Sequence, residues 1–237
     1  MPSEVAHRLD AGGPYPVVQL TGVLDAEAGP DARSALLEVL AGQPEALVVD
    51  VSGLRLAHPG ATAALRDVAR LNAAWPEAHI VLCASQDAEL WHSTGLPVWP
   101  DRAQAMAELG EPETDTRLSL QLEPMVGAAR RARELVTEAC GWWDCPELAG
   151  PACIVITEMV NNVVAHARTP MVVLIATKGD GLSVAVRDRS GTVPTYGGVP
   201  VSPTAPGGRG MLLIDSVAWR WGSLPLADGK VVWALLR

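Results

Sequence analysis

The stretch Ile156-Thr-Glu-Met-Val-Asn-Asn-Val-Val-Ala-His-Ala167 decides how the second half of this chain is read. With Ile154 and Val155 before it, the run is apolar nearly all round and too long for a strand, which predicts a buried helix from about Leu148 to Ala167. Yet it carries Glu158, Asn161, Asn162 and His166. An unpaired charge in such a helix costs on the order of several kcal/mol even after relaxation, so these groups need partners. Glu158, Asn162 and His166 fall at i, i+4 and i+8, one stripe of a helix. An amide oxygen one turn from a carboxylate suits a magnesium–nucleotide centre: the amide supplies a hard ligand and the carboxylate orients or deprotonates an attacking hydroxyl. The alternative is that the polar groups bond one another or neighbouring backbone.

The next segments bear on that choice. Met171 to Thr177 and Leu182 to Val186 are β-branched runs joined by Lys178-Gly-Asp-Gly181, a hairpin signal. The second strand ends in Arg187-Asp188-Arg-Ser-Gly191, where Asp188 either accepts from an exocyclic amine or forms a turn. Thr192 to Pro206 contains four prolines and two glycines. A long irregular segment inside a compact domain is typically functional, often a lid. It runs into Gly207-Gly-Arg-Gly210 and a helical pattern from Met211 to Val217. Glycines opening a helix let backbone N–H groups approach a phosphate, and the helix N-terminus favours the anion; an ordinary loop is the competing reading. No Walker A sequence is present, so this is not a P-loop.

Upstream, Arg117 to Glu123 alternates as a half-buried strand and Met125 to Ala139 reads as an amphipathic helix. Gly110-Glu-Pro-Glu-Thr-Asp-Thr116 lacks apolar residues and marks a linker. Before it, the runs Val17 to Leu20, Leu47 to Val51 and Ile80 to Cys83 alternate with helical patterns at Pro30 to Leu40, Pro59 to Ala74, Asp87 to Trp91 and Arg102 to Leu109. Strand–helix alternation predicts right-handed crossovers and a small mixed sheet covered by helices. The fold class is therefore α/β in two domains: residues 1–110, a linker at 111–116, and residues 117–237.

Composition bounds the function. The 237 residues are 49% hydrophobic and 19% charged, enough apolar surface for real cores. The net charge of −9 is uneven: residues 1–112 hold 15 Asp/Glu against 6 Lys/Arg, and residues 113–237 hold 12 of each. An acidic front half without a basic, aromatic-interleaved patch argues against direct nucleic-acid binding. No apolar run approaches the roughly 20 residues a bilayer span needs, and the first ten residues lack the pattern of a secretion signal, so no membrane role and a cytoplasmic location are expected. Cys83, Cys140, Cys145 and Cys153 contain no CxxC pair and read as reduced packing residues.

In residues and order, ITEMVNNVVAHA, VRDRSG, GGRGMLLID and the closing Trp219-Arg-Trp-Gly222 with Gly229-Lys-Val-Val-Trp233 resemble the anti-sigma-factor serine kinases, members of the GHKL or Bergerat-fold ATPases. The resemblance implies an α/β sandwich that binds ATP and Mg2+. It implies that Glu158 is the catalytic base and Asn162 the metal ligand. Asp188 would bind the adenine amino group, with Gly191 following it, and Gly208, Arg209, Gly210 and Met211 would lie along the phosphates. It leaves Asn161 a supporting role and His166 a packing one. Thr21-Gly-Val-Leu-Asp25 and Leu47-Val-Val-Asp-Val-Ser-Gly-Leu54, with Asp50 at the end of a buried strand, are similar to a STAS domain, the fold of anti-sigma-factor antagonists.

The chain also departs from both families. Ala57, His58 and Pro59 stand where signalling STAS domains carry a phosphorylated serine, and Pro59 has no hydroxyl; His58 and Thr62 nearby have no supporting features as substitutes. Proline suits a first helical turn instead. The usual Asp-x-Gly is Asp188-Arg-Ser-Gly191, Val231 or Val232 stands where a threonine commonly helps hold adenine, and the lid lacks lysine. Two readings stay open: a serine protein kinase acting on a separate antagonist, with the attached domain as a built-in mimic, or a non-catalytic switch that holds a sigma factor or antagonist by contact. A sensor histidine kinase is disfavoured, since no phosphoacceptor-histidine module precedes the ATPase. The resemblance also allows a homodimer.

Overall fold

The computed structural model describes residues 5–86, 88–113, 116–192 and 209–237. The chain divides into two compact units, Met1–Thr114 and Asp115–Arg237. Each is α/β, built on its own five-stranded sheet.

In the first unit the strands are β1 (Val5–Asp10), β2 (Val17–Leu24), β3 (Ala46–Leu56), β4 (His79–Cys83) and β5 (Val98–Trp99), paired in chain order. β1 and β2 are antiparallel, and β2 through β5 are parallel. The crossovers carry α1 (Gly29–Leu40), α2 (Ala63–Asn72), the short α3 (Ala88–Trp91) and, after β5, α4 (Arg102–Leu109). Period-two alternation sorts the parallel strands. Val17, Val48, Val81 and Cys83 form a cluster with Ala105 of α4, while Leu47, Val49 and Leu82 point the other way and are fully buried. Burial pushes the Cys83 thiol up to about 11, helped by the charge of Asp50, so it stays protonated and serves as core.

Two expectations change here. Asp50 does not end its strand: β3 runs on to Leu56, and the switch from buried to exposed residues falls after Val51. The helix expected from Pro59 opens instead as a 3-10 turn, Pro59–Thr62, with proline at its first position and an exposed His58 before it. Thr62 is fully buried and shares a 3.0 Å hydroxyl contact with Ser93, which takes it out of reach of any modifying partner.

The second unit is a two-layer sandwich. Its sheet runs β6 (Arg117–Leu122), β7 (Met171–Lys178), β8 (Gly181–Asp188), β10 (Gly229–Leu236), β9 (Arg220–Leu226), antiparallel throughout. The turn Gly179-Asp180 joins β7 to β8 with Lys178 opposite Gly181, the hairpin the sequence signals. α5 (Ala128–Trp142), α6 (Pro146–Asn162) and α7 (Arg209–Val217) complete the layer. Val173, Ile175, Val184, Val186, Val232 and Ala234 from the sheet share one core with Ala152, Val155, Ile156, Met159 and Val160 of α6. Burial pushes the Cys140 thiol in this core up to about 12, with Cys145 beside it adding to the shift.

α6 departs from expectation in three ways. Its last turn, Val163–Ala167, is a π-helix, so the α-helical stripe ends at Asn162. His166 is exposed. The whole helical stretch Pro146–Ala167 is 22 residues long with a mean hydropathy of 1.5, which is long and apolar enough to cross a bilayer and exceeds the apolar length expected from the sequence. Its buried side is committed to the core of the unit, while Ile154 is 45% exposed.

Candidate functional site

Glu158 and Asn162 stand one turn apart on α6, and both are half-buried, neither sealed in the core nor on open surface. They face the start of α7. A side-chain carbon placed on Gly210 would lie 2.6 Å from Glu158 Oε2 and 3.6 Å from its Cβ, so only a glycine admits the carboxylate this close to the helix. Asn162 directs its Nδ2 to the sulfur of Met211 at 3.7 Å. The structure thus brings four of the sequence-expected residues together: Glu158, Asn162, Gly210 and Met211. Asn161 is exposed, as a bystander on this face would be.

Arg209 opens α7; the expected phosphate residue Gly208, and the expected lid of Thr192 to Pro206 apart from Thr192 itself, lie outside the described residues. Within α7, Met211 and Ile214 are buried in the unit's core, which anchors the helix against α6.

Asp188 ends β8, as expected, and is 3% exposed. It lies at the end of the sheet to which α6 leads. β7 begins at Met171, which pairs with Asp188, and Thr169 in the connection accepts a 3.1 Å bond from the backbone N–H of Arg189. A cavity of about 300 Å³ opens beside it, lined by Leu122, Met171, Arg187, Arg189 and Asp228 among others.

Its carboxylate is already paired. Lys230 Nζ donates to Oδ1 at 2.9 Å and approaches Oδ2 at 2.8 Å, and the Ser190 N–H donates to Oδ1 at 2.7 Å. The same ammonium donates to the Ser190 carbonyl at 3.1 Å. Of the two readings of Asp188 the turn is seen: at the strand end its carboxylate accepts from the N–H two residues on. Lys230 went unread in the sequence. The signal was available, since a lysine opening the apolar strand Gly229–Leu236 needs a buried counter-charge, but its partner lies 42 residues away. Gly229 has a φ of +155°, and a side-chain carbon there would collide with the Asp188 carbonyl and lie 2.8 Å from Arg189 Cα. The backbones of β10 and the end of β8 meet closely at this point, one residue before Lys230.

Gly191 behaves differently from the glycine of an Asp-x-Gly turn. It is exposed, and a side-chain carbon on it would meet nothing within 4 Å. Val231 and Val232 are both buried, and Val232 belongs to the helix-facing core, so neither offers a polar group to a ligand.

In the first unit a second charged cluster surrounds Asp50, which is 7% exposed. Burial raises the pKa of Asp50, but the Ser52 N–H at 3.0 Å and the Arg102 guanidinium at 2.7–2.8 Å outweigh it and hold the carboxyl below its ordinary value. This pair ties β3 to α4 and is structural.

No family model matches the chain, and no curated protein matches it. Among solved structures, the chain is similar to the RsbU and RsbW domains of Rv1364c from Mycobacterium tuberculosis at 20% identity and a TM-score of 0.39, over 51% of this chain and 32% of that one. It spans about a third of that protein's length. It is also similar to an anti-sigma factor antagonist from Mycobacterium paratuberculosis at 21% identity and a TM-score of 0.37, over 44% of this chain and 92% of that one.

Proposed function

We propose that the second unit is an ATP- and Mg2+-binding serine protein kinase of the anti-sigma type, joined to a STAS-like unit that cannot be phosphorylated at the usual position. The observation that carries this reading is the meeting of Glu158 and Asn162, half-buried on α6, with the glycine-opened first turn of α7. The donor set fits the group: a carboxylate and an amide supply hard oxygens, and Gly210 puts no side chain between Glu158 and the first turn of the helix. Bound magnesium would neutralise charge developing on the phosphates. Asn162 would hold the metal, and Glu158 would accept the proton of an incoming serine hydroxyl.

The proposed substrate is a separate antagonist protein, since Pro59 in this chain's own STAS-like unit carries no hydroxyl. The partners on this reading are that antagonist, a sigma factor, or both. The test is transfer of labelled phosphate from Mg-ATP to candidate antagonists. Glu158→Gln should abolish labelling while leaving nucleotide affinity nearly unchanged; labelling that survives this substitution contradicts the assignment.

One observation favours a second reading, a non-catalytic switch that works by contact. Asp188 is engaged within the chain itself, by the Lys230 ammonium and the Ser190 N–H. On that reading the wild-type chain labels no antagonist, yet holds its partner equally well with and without Mg-ATP.

A further inference from the structure

We propose that Cys140 and Cys145 are an oxidisable pair, which hydrogen peroxide closes into a disulfide at the junction of α5 and α6. The pair is created by the way α5 ends and does not depend on the nucleotide reading. In a continued helix, residues five apart stand roughly 7.5 Å apart along the axis and on different faces. Here Asp144 takes a left-handed φ of +51° and turns the chain back, so that the Cys145 N–H donates to the Cys140 carbonyl at 3.0 Å. With Trp143 as the cap, this bond runs from the second residue beyond it to the third from the helix end, a Schellman closure, in which those two side chains commonly touch. It draws the two Cα atoms toward the roughly 4.4–6.8 Å that a disulfide spans. The thiols themselves are hydrogen-bonded to each other.

Access sets the order of reaction. Cys140 is 1% exposed, whereas Cys145 is half-buried between the exposed Asp144 and Pro146. Burial, and then the charge of Cys145, push the Cys140 thiol up to about 12, so it is protonated at neutral pH and does not react first. The Cys145 thiolate attacks one peroxide oxygen, the O–O bond breaks, and the departing hydroxide takes a proton from solvent, leaving a sulfenic acid and water. The Cys140 sulfur then attacks the Cys145 sulfur, the S–O bond breaks, and the leaving hydroxide takes the Cys140 proton as a second water. Two thiols are oxidised and one peroxide is reduced. The neutral sulfenic acid also removes the Cys145 charge that opposed ionisation of Cys140. Cys153 on α6 is engaged elsewhere, its thiol donating to the Arg133 carbonyl and touching the Thr137 hydroxyl, both at 3.8 Å. Because α6 starts at Pro146, the link fastens the end of α5 to the cap of the helix that carries Glu158 and Asn162.

The test treats the reduced full chain with a small excess of hydrogen peroxide, blocks the remaining thiols with N-ethylmaleimide and maps the product by mass spectrometry. Chymotrypsin and Glu-C cut after Trp143 and Glu147 and so separate Cys140, Cys145 and Cys153. The thiol count of the denatured protein should fall from four to two, with a Cys140–Cys145 link that dithiothreitol reverses. Cys145→Ser should keep all its remaining thiols; serine suits the N-cap of α6, so this variant should fold. Cys153→Ser should form the link as the wild type does. A wild type that keeps all four thiols, a link that includes Cys153, or Cys145 driven to sulfinic acid with Cys140 still free overturns the proposal. So does loss of the Cys140 thiol in a folded Cys145→Ser. Should that variant fail to fold, the wild-type map and Cys153→Ser decide.

Discussion

Lys230→Met isolates what the buried ion pair does for the fold. Methionine keeps most of the length of the lysine stem and removes the ammonium, leaving the Asp188 carboxylate at 2% exposure with the Ser190 N–H at 2.7 Å. Breaking a buried pair by deleting one partner costs about 3–5 kcal/mol, because the remaining charge is desolvated without compensation. The surviving Ser190 bond places this case at the low end, about 3 kcal/mol. For a unit of this size that corresponds to a fall of about 10–15 °C in its melting temperature. Differential scanning calorimetry of the full chain, with the transitions of the two units fitted separately, measures it. Asp188→Asn combined with Lys230→Met removes both charges and should recover about half or more of the loss, a coupling of roughly 2 kcal/mol. A single-mutant loss below about 1 kcal/mol, or a double mutant no better than the single, would refute the claim that this pair is buried and mutually dependent.

Three further outcomes follow from the same geometry. Gly210→Ala sets a better helix former against displacement of a flexible carboxylate, so stability should change by less than about 1 kcal/mol, while phosphate transfer falls as Glu158 is pushed aside; thermal melts beside a labelling assay separate the two effects. Gly229→Ala drives a side-chain carbon into the backbone of Asp188 and Arg189, which cannot yield, and should cost more than about 2 kcal/mol by urea titration. Asp50 has its pKa lowered from 3.8, so its pairing stabilises the first unit above that value and is lost as pH falls through the lower folded value. Arg102→Ala should therefore cost about 1 kcal/mol at pH 7, discounted for an arginine 38% exposed, and shrink the difference from wild type below pH 3.8 in acid unfolding curves.

The parts of the fold written in local apolar patterns were readable in the sequence. α4 spans Arg102–Leu109 as its pattern indicates, with Asp101 accepting from the Gln104 N–H as its cap, and β7 and β8 follow from a hairpin signal between two β-branched runs. β1 was missed because five of its six residues are exposed on an edge strand, which leaves no alternation to read. β5 has only two residues and exists through its pairing with β4. In the site, Glu158 and Asn162 stood out because polar groups are conspicuous in an apolar helix. The π-turn after Asn162 left no such mark, since the stretch through Ala167 reads as continuous helix. Lys230 was unreadable as a partner of Asp188 for another reason: strand register, set by the whole sheet, brings them together.

On the proposed function, Glu158 and Asn162 beside the start of α7 would hold a metal-bound triphosphate. Titrating Mg-ATP into the full chain, with and without a chelator, and repeating it with Asn162→Ala, tests this directly. Binding should be saturable, require magnesium and weaken about tenfold or more in Asn162→Ala. Absence of saturable heat in the wild type, or magnesium-dependent binding that Asn162→Ala leaves unchanged, would contradict it.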